Sequence, residues 1–330
     1  MKCPLCEKGD AVLSYQRKKR IFRKEEFELF EYFYKCNKCK EEFTTTEIDT
    51  LNTNQVYNKY REKYSIPFPS QLTSLREHYS LSAAKMSELL GFGANQYRLY
   101  ESGELPAGGN ATVLTLILNP GSFKELISKS KSLLSDKKFE EIIKKLDSKI
   151  NERLDKLIER SIFPYDIIPN RFTGFSVPDF NKFTNMVLYF VASAPFKVRL
   201  NKLLFYADFA NYKYTGYSIS GCKYAAIDMG SVPDQFSILF GLLESEKYLR
   251  TELVRIKDKE YEKFISLKEF KSGLFFKSEL RTLDEVHKKF QSISTTDLMK
   301  ISHSEKAWLD NIASKALIDY SIYAPQLIGM

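Results

Sequence analysis

"MKCPLCEKGD" (residues 1–10) and "YKCNKCKEEF" (34–43) share a Cys-x-x-Cys core and hold four of the chain's five cysteines. Two cysteines separated by two residues aim both sulfurs at one point from a tight knuckle. A second such pair completes a tetrahedral thiolate set, the donor geometry that zinc takes. The spacer, residues 7–35, is longer than the usual run of about 15 to 20 residues but suits a hairpin between the knuckles. Within it, "EEFELFEYFYKC" (25–36) places Phe27, Leu29 and Phe33 on one face and Phe30, Tyr32 and Tyr34 on the other, which is strand period. The pattern predicts a small treble of strands around one structural Zn2+ held by Cys3, Cys6, Cys36 and Cys39. Four thiolates leave no open position for water, so such a metal holds a fold and hydrolyses nothing. Two disulfides, or a redox Cys-x-x-Cys, are the alternatives. Against both stand the lack of a secretory leader before Met1 and of a βαβ frame around either pair.

At 330 residues, 43% hydrophobic and 28% charged, the chain has material for two or three globular units. No apolar run is long enough to span a bilayer, so a cytoplasmic protein without a membrane partner is expected. The formal net charge of +8 hints at an anionic partner. The excess is spread evenly: 18 basic against 16 acidic residues in 1–125, 10 against 7 in 126–165, and 22 against 19 in 166–330. A nucleic-acid reading therefore has to rest on a motif.

That motif lies in "YREKYSIPFPSQLTSLREHYSLSAAKMSELLGFGANQYRLYESGELPAGGN" (60–110). After Pro67 and Pro69, Leu72, Leu75 and Tyr79 recur at helical spacing, and the first helix ends near Ser80. Ser82 is the N-cap of a second helix striped by Ala83, Met86, Leu89 and Leu90 and broken by Gly91-Phe92-Gly93. A short third helix runs from Asn95 to Ser102 before Gly103. This is the layout of a helix-turn-helix, whose second helix offers its N-terminal side chains to the major groove. On that helix Tyr97 and Tyr100 are expected inward, while Asn95, Gln96 and Arg98 point out. Asn or Gln pairs bidentately with adenine and Arg with guanine. Lys85 and Ser82, at the start of the preceding helix, are placed for phosphate contact. A helical hairpin with a solvated polar face is the blander alternative.

The stretches "NTNQVYNKYREKY" (52–64) and "LSAAKMSELLGFGANQYRLYESGELP" (81–106), with the two knuckles and "EEFTTTE" (41–47), resemble the MqsA-type antitoxins. These join a zinc-binding N-terminal domain to an Xre-like helix-turn-helix, and the resemblance covers about residues 1–120. It implies zinc on the four cysteines and a base-contacting role for Asn95. The chain departs from the pattern at Leu99, where the best-known members place an arginine; its own arginine, Arg98, sits one position earlier. One residue rotates a helical side chain by about 100 degrees, so the operator sequence does not carry over.

Residues 121–162 change character. Leu146, Ile150, Leu154 and Leu157 form one apolar seam amid dense Lys and Glu, as in a solvated connector helix packed on its own chain or against a second copy. Beyond Pro164, "LNKLLFYADF" (200–209), "TGYSISGCKYAAIDMGSVP" (215–233) and "SHSEKAW" (302–308) resemble the Panacea, or SocA-like, antitoxin domain over about residues 180–325. Ser231 stands where that family has a proline after the glycine. Leu203 to Phe209 form a helix apolar on nearly every side, expected to be central and buried, with Gly216, Gly221 and Gly230 at turns. Cys222 and His303 lack an orienting group and an oxyanion hole, so no enzyme is expected. Asp208 and Asp228 are expected to cap or to pair with Lys and Arg.

The fold expected is mainly α with a small N-terminal β zinc-binding domain (1–62), a helix-turn-helix bundle (63–120), a helical connector (121–163) and a mostly helical α+β Panacea domain (164–330). The resemblances imply a type II antitoxin that binds its own operator as a homodimer on an inverted repeat, represses transcription and neutralises a co-encoded protein toxin. Tyr212, Tyr214, Tyr217, Tyr224 and Phe236, gathered around the glycine turns, are candidate toxin contacts. A DNA-binding transcriptional regulator whose C-terminal domain senses another partner, such as a phage product, and a proteolytic adaptor are the alternatives.

Overall fold

Helix and strand follow the sequence periodicities closely in the computed structural model, which describes residues 1–150, 161, 163, 167–256 and 259–330. Leu154, Leu157 and Pro164 lie outside the described residues. The chain divides into two compact units, one made of Met1–Lys59 with Asn170–Met330, the other of Tyr60–Pro169.

In the first unit, strands β1 (Ala11–Phe22) and β2 (Glu25–Cys36) form an antiparallel hairpin in which Ala11 pairs with Cys36 and Phe22 with Glu25. Arg23 and Lys24 close it with φ of 47° and 67°, the left-handed pair that a two-residue hairpin turn needs. A two-residue β3 (Glu42–Phe43) adds to the far side of β2, giving the expected treble of strands. Helix α1 (Thr46–Tyr64) lays Ile48 and Leu51 on Phe30 and Tyr32. β3 covers only the Tyr34–Lys35 end of that edge, and α1 satisfies the remainder with side-chain amides. Asn52 accepts from Tyr32 N (2.8 Å) and donates to Tyr32 O (2.9 Å), and Gln55 donates to Phe30 O (2.8 Å). An open strand edge is thereby closed by a helix.

The remainder of this unit is built around one helix. Chain order gives α8 (Phe180–Val191), α9 (Lys197–Thr215), the hairpin β4 (Tyr224–Ile227) and β5 (Gly230–Pro233), then α10 (Phe236–Ser245). A second hairpin, β6 (Leu249–Ile256) and β7 (Lys259–Ser266), leads to α11 (Lys277–Phe290), α12 (Thr295–Ser304) and the one-turn helices α13 (Lys306–Leu309) and α14 (Tyr320–Tyr323). Every residue of α9 from Leu200 to Tyr212 is buried, as the all-round apolar pattern predicts. α8, α11, α12, β5 and the turn at Ala324–Gln326 pack on it. Gly216 ends α9 at φ 81° with its N–H on Tyr212 O (2.8 Å), a left-handed C-cap.

Two charged residues sit inside this core. Asp208 is fully buried and accepts from Ile219 N (2.8 Å), Ser220 N (2.9 Å), Ser220 Oγ (2.6 Å) and Tyr224 Oη (2.9 Å). Of the two expected roles, capping and pairing with Lys or Arg, the carboxylate takes the first: a ring of neutral donors from the loop that follows α9, joined by the Tyr224 hydroxyl, satisfies it, because the loop's own amides need an acceptor there. Lys202, 1% exposed, donates to Ser231 O (3.1 Å), and burial pulls its amine down to about 7.

The second unit has helices α2 (Pro69–His78), α3 (Ala83–Leu89), α4 (Gln96–Glu101), α5 (Gly108–Leu116), α6 (Pro120–Lys129) and α7 (Asp136–Ile150). Ser82 caps α3 as its position predicts, its Oγ accepting from Lys85 N (3.1 Å), and Asn119 Oδ1 caps α6 by accepting from Ser122 N (3.1 Å). One core joins Leu72, Met86, Tyr97 and Leu114 to Phe123, Ile142 and Leu146. The described part of the connector seam thus packs on its own unit, with Ile150 left half exposed.

Two outcomes test this account. Asp208→Ala strands four buried donors and is expected to cost about 3 kcal/mol or more in denaturant unfolding. For Lys202, the unfolded amine keeps its proton to its ordinary 10.5 while the folded one releases it near 7. The unfolded state binds more protons across that window, so stability rises with pH within it and the full penalty is felt below pH 7. Lys202→Met is expected to raise stability at pH 7 and to flatten the rise between pH 7 and 10.

Candidate functional site

The two knuckles meet. The hairpin register brings Ala11 opposite Cys36, so the chain on either side of β1 and β2 converges at one end of the sheet. There the sulfurs of Cys3, Cys6, Cys36 and Cys39 all lie within 4.8 Å of one another, with Cys3 to Cys39 at 3.8 Å and Cys6 to Cys36 at 3.7 Å. A tetrahedron with zinc–sulfur arms of about 2.3 Å has edges of about 3.8 Å, so the donor set fits a zinc site. Cys3 and Cys36 are buried and Cys6 and Cys39 are half-buried.

The surroundings support anionic sulfur. The amides of Lys38 and Cys39 point at Cys36 Sγ from 3.4 and 3.5 Å. Burial pushes the Cys36 thiol up, but the Cys39 and Lys38 amides outweigh it and bring it down to about 6. Cys39 is assisted by the Glu41 amide, yet burial and the crowding of the other three sulfurs push it up to about 12. Four clustered thiols resist losing all their protons, and a divalent cation at their centre removes that resistance.

Gly9 is the residue that sequence reading missed. A Cβ there would sit 2.5 Å from Cys36 Sγ, 2.8 Å from Lys38 Cβ and 2.9 Å from Asn37 Oδ1, so only glycine lets the first knuckle close on the second. Asn37 ties the same two segments, its Oδ1 accepting from Asp10 N (3.0 Å) and its own N–H donating to Asp10 O (3.0 Å). The signal was present in "CEKG", a glycine three positions past the first pair.

In the second unit α4 is fixed from beneath. Tyr97 and Tyr100 are buried as expected; Tyr97 Oη donates to Leu72 O (2.8 Å) and Tyr97 N to Ser87 Oγ (3.0 Å). Arg76 Nε bonds Glu101 Oε1 at 2.6 Å, joining α2 to α4. Outward, Asn95 and Arg98 are exposed with Leu99 beside them, whereas Gln96 is half-buried and its amide donates to Glu104 at 3.4 Å. Asn95 precedes α4 at φ 66° with no side-chain cap bond. Ser82 and Lys85 are engaged locally, Ser82 as the α3 cap and Lys85 Nζ on Glu88 (2.6 Å) and Leu133 O (3.0 Å).

The five aromatic residues named around the glycine turns separate. Tyr212 is 3% exposed, packed among Phe175 and Tyr320, and Tyr224 is fully buried on Asp208. Both are core residues, a correction to their reading as contact residues, because helical and strand register turn them toward α9's enclosed side. Tyr217 is half-buried and donates to Asn58 Oδ1 (3.0 Å). Tyr214 is 38% exposed, and Phe236 is half-buried beneath Lys197, whose Nζ lies 5.4 Å from the ring centre. Cys222 is buried, its thiol donating to Lys223 O (3.2 Å) and pushed well up by burial. His303 stacks on Trp308 at 4.2 Å.

Zinc content and fold should move together. The purified protein is expected to carry about one zinc per chain, and Cys36→Ser to lose it and melt the hairpin. Gly9→Ala should weaken zinc retention while leaving all four thiols in place. Elemental analysis with thiol titration before and after chelation checks each.

Among the described residues no helix is long and apolar enough to cross a membrane. Among curated proteins none matches the chain. A family model described as "Antitoxin SocA-like, Panacea domain" matches residues 200–309. The matched stretch opens on the enclosed helix α9, includes the Asp208 ring and ends at α13, so a SocA-like Panacea antitoxin domain occupies this part of the chain.

Proposed function

We propose that the protein is the antitoxin of a type II toxin–antitoxin pair, with a structural zinc in its N-terminal domain, a DNA-reading helix-turn-helix in its middle and toxin recognition in its C-terminal part. The observation that carries the reading is the Panacea match over residues 200–309. The likeness of residues 1–120 to the MqsA-type antitoxins supports the DNA and zinc assignments. In this reading Cys3, Cys6, Cys36 and Cys39 hold the Zn2+, which supplies no chemistry beyond a cross-link between the two ends of the hairpin.

DNA reading falls to α4. Asn95 and Arg98 are outward and unencumbered, suited to bidentate pairing with adenine and guanine; Gln96 adds a second amide once it leaves Glu104. Lys85 reaches a phosphate only by exchanging Glu88 for it, so its contribution is small and salt-dependent. A homodimer on an inverted repeat upstream of its own gene would double these contacts, as two half-sites require. Toxin recognition falls to the surface that carries Tyr214, which is exposed, and Phe236, which is half-buried beneath Lys197.

The division of labour has a direct test in the full-length chain. Co-expression with the product of the adjacent gene should restore growth, and the two proteins should co-purify. Asn95→Ala combined with Arg98→Ala is expected to cut affinity for a selected DNA site about tenfold or more and to leave rescue intact. Tyr214→Ala combined with Phe236→Ala should do the reverse. Equal affinity for selected and scrambled duplexes at physiological salt ends the repression reading; rescue untouched by the aromatic changes ends the assignment of the toxin surface.

A further inference from the structure

The four-cysteine knuckle and the Panacea segment belong to one compact unit, and one helix touches both the strand that ends on the knuckle and the Panacea segment. α1 uses adjacent faces for the two contacts. Asn52, Gln55 and Lys59, at i, i+3 and i+7, hold the backbone of β2 at Tyr32, Phe30 and Glu28, and β2 ends on Cys36. Leu51, Asn54 and Asn58, at the same spacing one residue earlier, face the corner where α9 ends. A Cβ on Gly216 would lie 3.6 Å from Leu51 Cδ1 and 3.7 Å from Asn54 Cβ.

Asn58 makes the polar link. It is fully buried; its Nδ2 donates to Gly216 O (3.3 Å) and its Oδ1 accepts from Tyr217 Oη (3.0 Å). The same corner is tied inward, since Tyr217 O accepts from Asn211 Nδ2 (2.8 Å) and Thr215 Oγ1 (3.1 Å), and the loop then runs directly onto Asp208. A path of backbone and side-chain hydrogen bonds therefore leads from Cys36 along β2, across Asn52 and Gln55 to α1, and through Asn58 to the Gly216–Tyr217 corner. Two residues before that corner stands Tyr214, the exposed ring assigned above to partner contact.

We propose that occupancy of the four-cysteine site sets the order of the Gly216–Tyr217 corner of the Panacea domain, so that partner recognition is metal-dependent although no cysteine belongs to that domain's surface. The proposal rests on the reading of the four sulfurs as zinc ligands. Without the cross-link, the hairpin ends are free to separate and β2 loses the frame on which Asn52 and Gln55 seat α1. α1 then no longer presents Asn58 at the depth that Gly216 O and Tyr217 Oη require. A buried donor and acceptor left unmatched favour local opening of the segment.

Hydrogen exchange on the full chain, with zinc and after chelation, reads the coupling without any activity assay. Removal of zinc is expected to lower protection of the Gly216 and Tyr217 amides about tenfold. Asn58→Ala should show that loss with zinc still bound, at unchanged metal content, and chelation should add nothing further at the corner. Tyr217→Phe, which deletes a single hydroxyl, supplies the milder variant if Asn58→Ala does not fold, and is expected to lower protection several-fold. Zinc that leaves with changes confined to residues 1–45 overturns the coupling alone. A protein that purifies folded with no zinc overturns both the coupling and the metal reading beneath it.

Discussion

A helix with no polar side must be surrounded, and that requirement organises the larger unit. Thirteen consecutive residues of α9, Leu200 to Tyr212, are withdrawn from water, which no single neighbouring helix can accomplish. The chain meets the demand with elements from both sides of it in sequence: α8 before it, the β4–β5 hairpin after it, then α11, α12 and the turn at Ala324–Gln326. Polar groups trapped by that enclosure have to be matched in place. Asp208 gathers the loop amides that the β4–β5 approach would otherwise strand, and Glu305 does the same for the amides of Ile328 and Gly329.

The N-terminal sheet faces the opposite problem, too little surface to bury. Two twelve-residue strands and a two-residue third cannot form a core of their own. Two devices compensate. Four sulfurs converge where the hairpin's ends would fray, and α1 closes the exposed edge of β2 with amide side chains. Glu31 shows the same economy: it is 7% exposed in the middle of β2 and is neutralised by Lys18 and Arg20 from the facing strand.

Much of this was legible in the sequence where one local rule governs one feature. Cys-x-x-Cys spacing marked the four cysteines that come together, strand alternation through Phe27 to Tyr34 gave the hairpin, Ser82 capped the helix it was expected to cap, and the apolar run at Leu203 marked the buried helix. What was illegible depends on partners distant in sequence. Nothing near Tyr212 or Tyr224 says that Tyr320 and Asp208 enclose them, and an aromatic cluster beside glycines reads equally well as surface or core. Asp208 left open whether it caps or pairs with a cation; two of its donors are backbone amides, which have no letter in a sequence, and the other two are the Ser220 and Tyr224 hydroxyls. Asn58 gave no signal at all, since an amide in a polar helix is ordinary until Gly216 is placed against it. Gly9 lies between these cases, visible as a letter but meaningful only once the second knuckle closes over it.

The larger unit is discontinuous, residues 1–59 being completed by residues 170–330. During synthesis the hairpin and the start of α1 leave the ribosome long before their binding surface exists, while the intervening helices of Tyr60–Pro169 emerge and are free to fold by themselves. At elongation rates of about 5 to 20 residues per second the wait is on the order of several seconds, during which Leu51 and the buried amides of α1 face water. Four cysteines that captured a metal ion early, as proposed above, would keep the hairpin from pairing with other chains in that interval. A metal held there would act on the nascent chain before it acted on the finished fold.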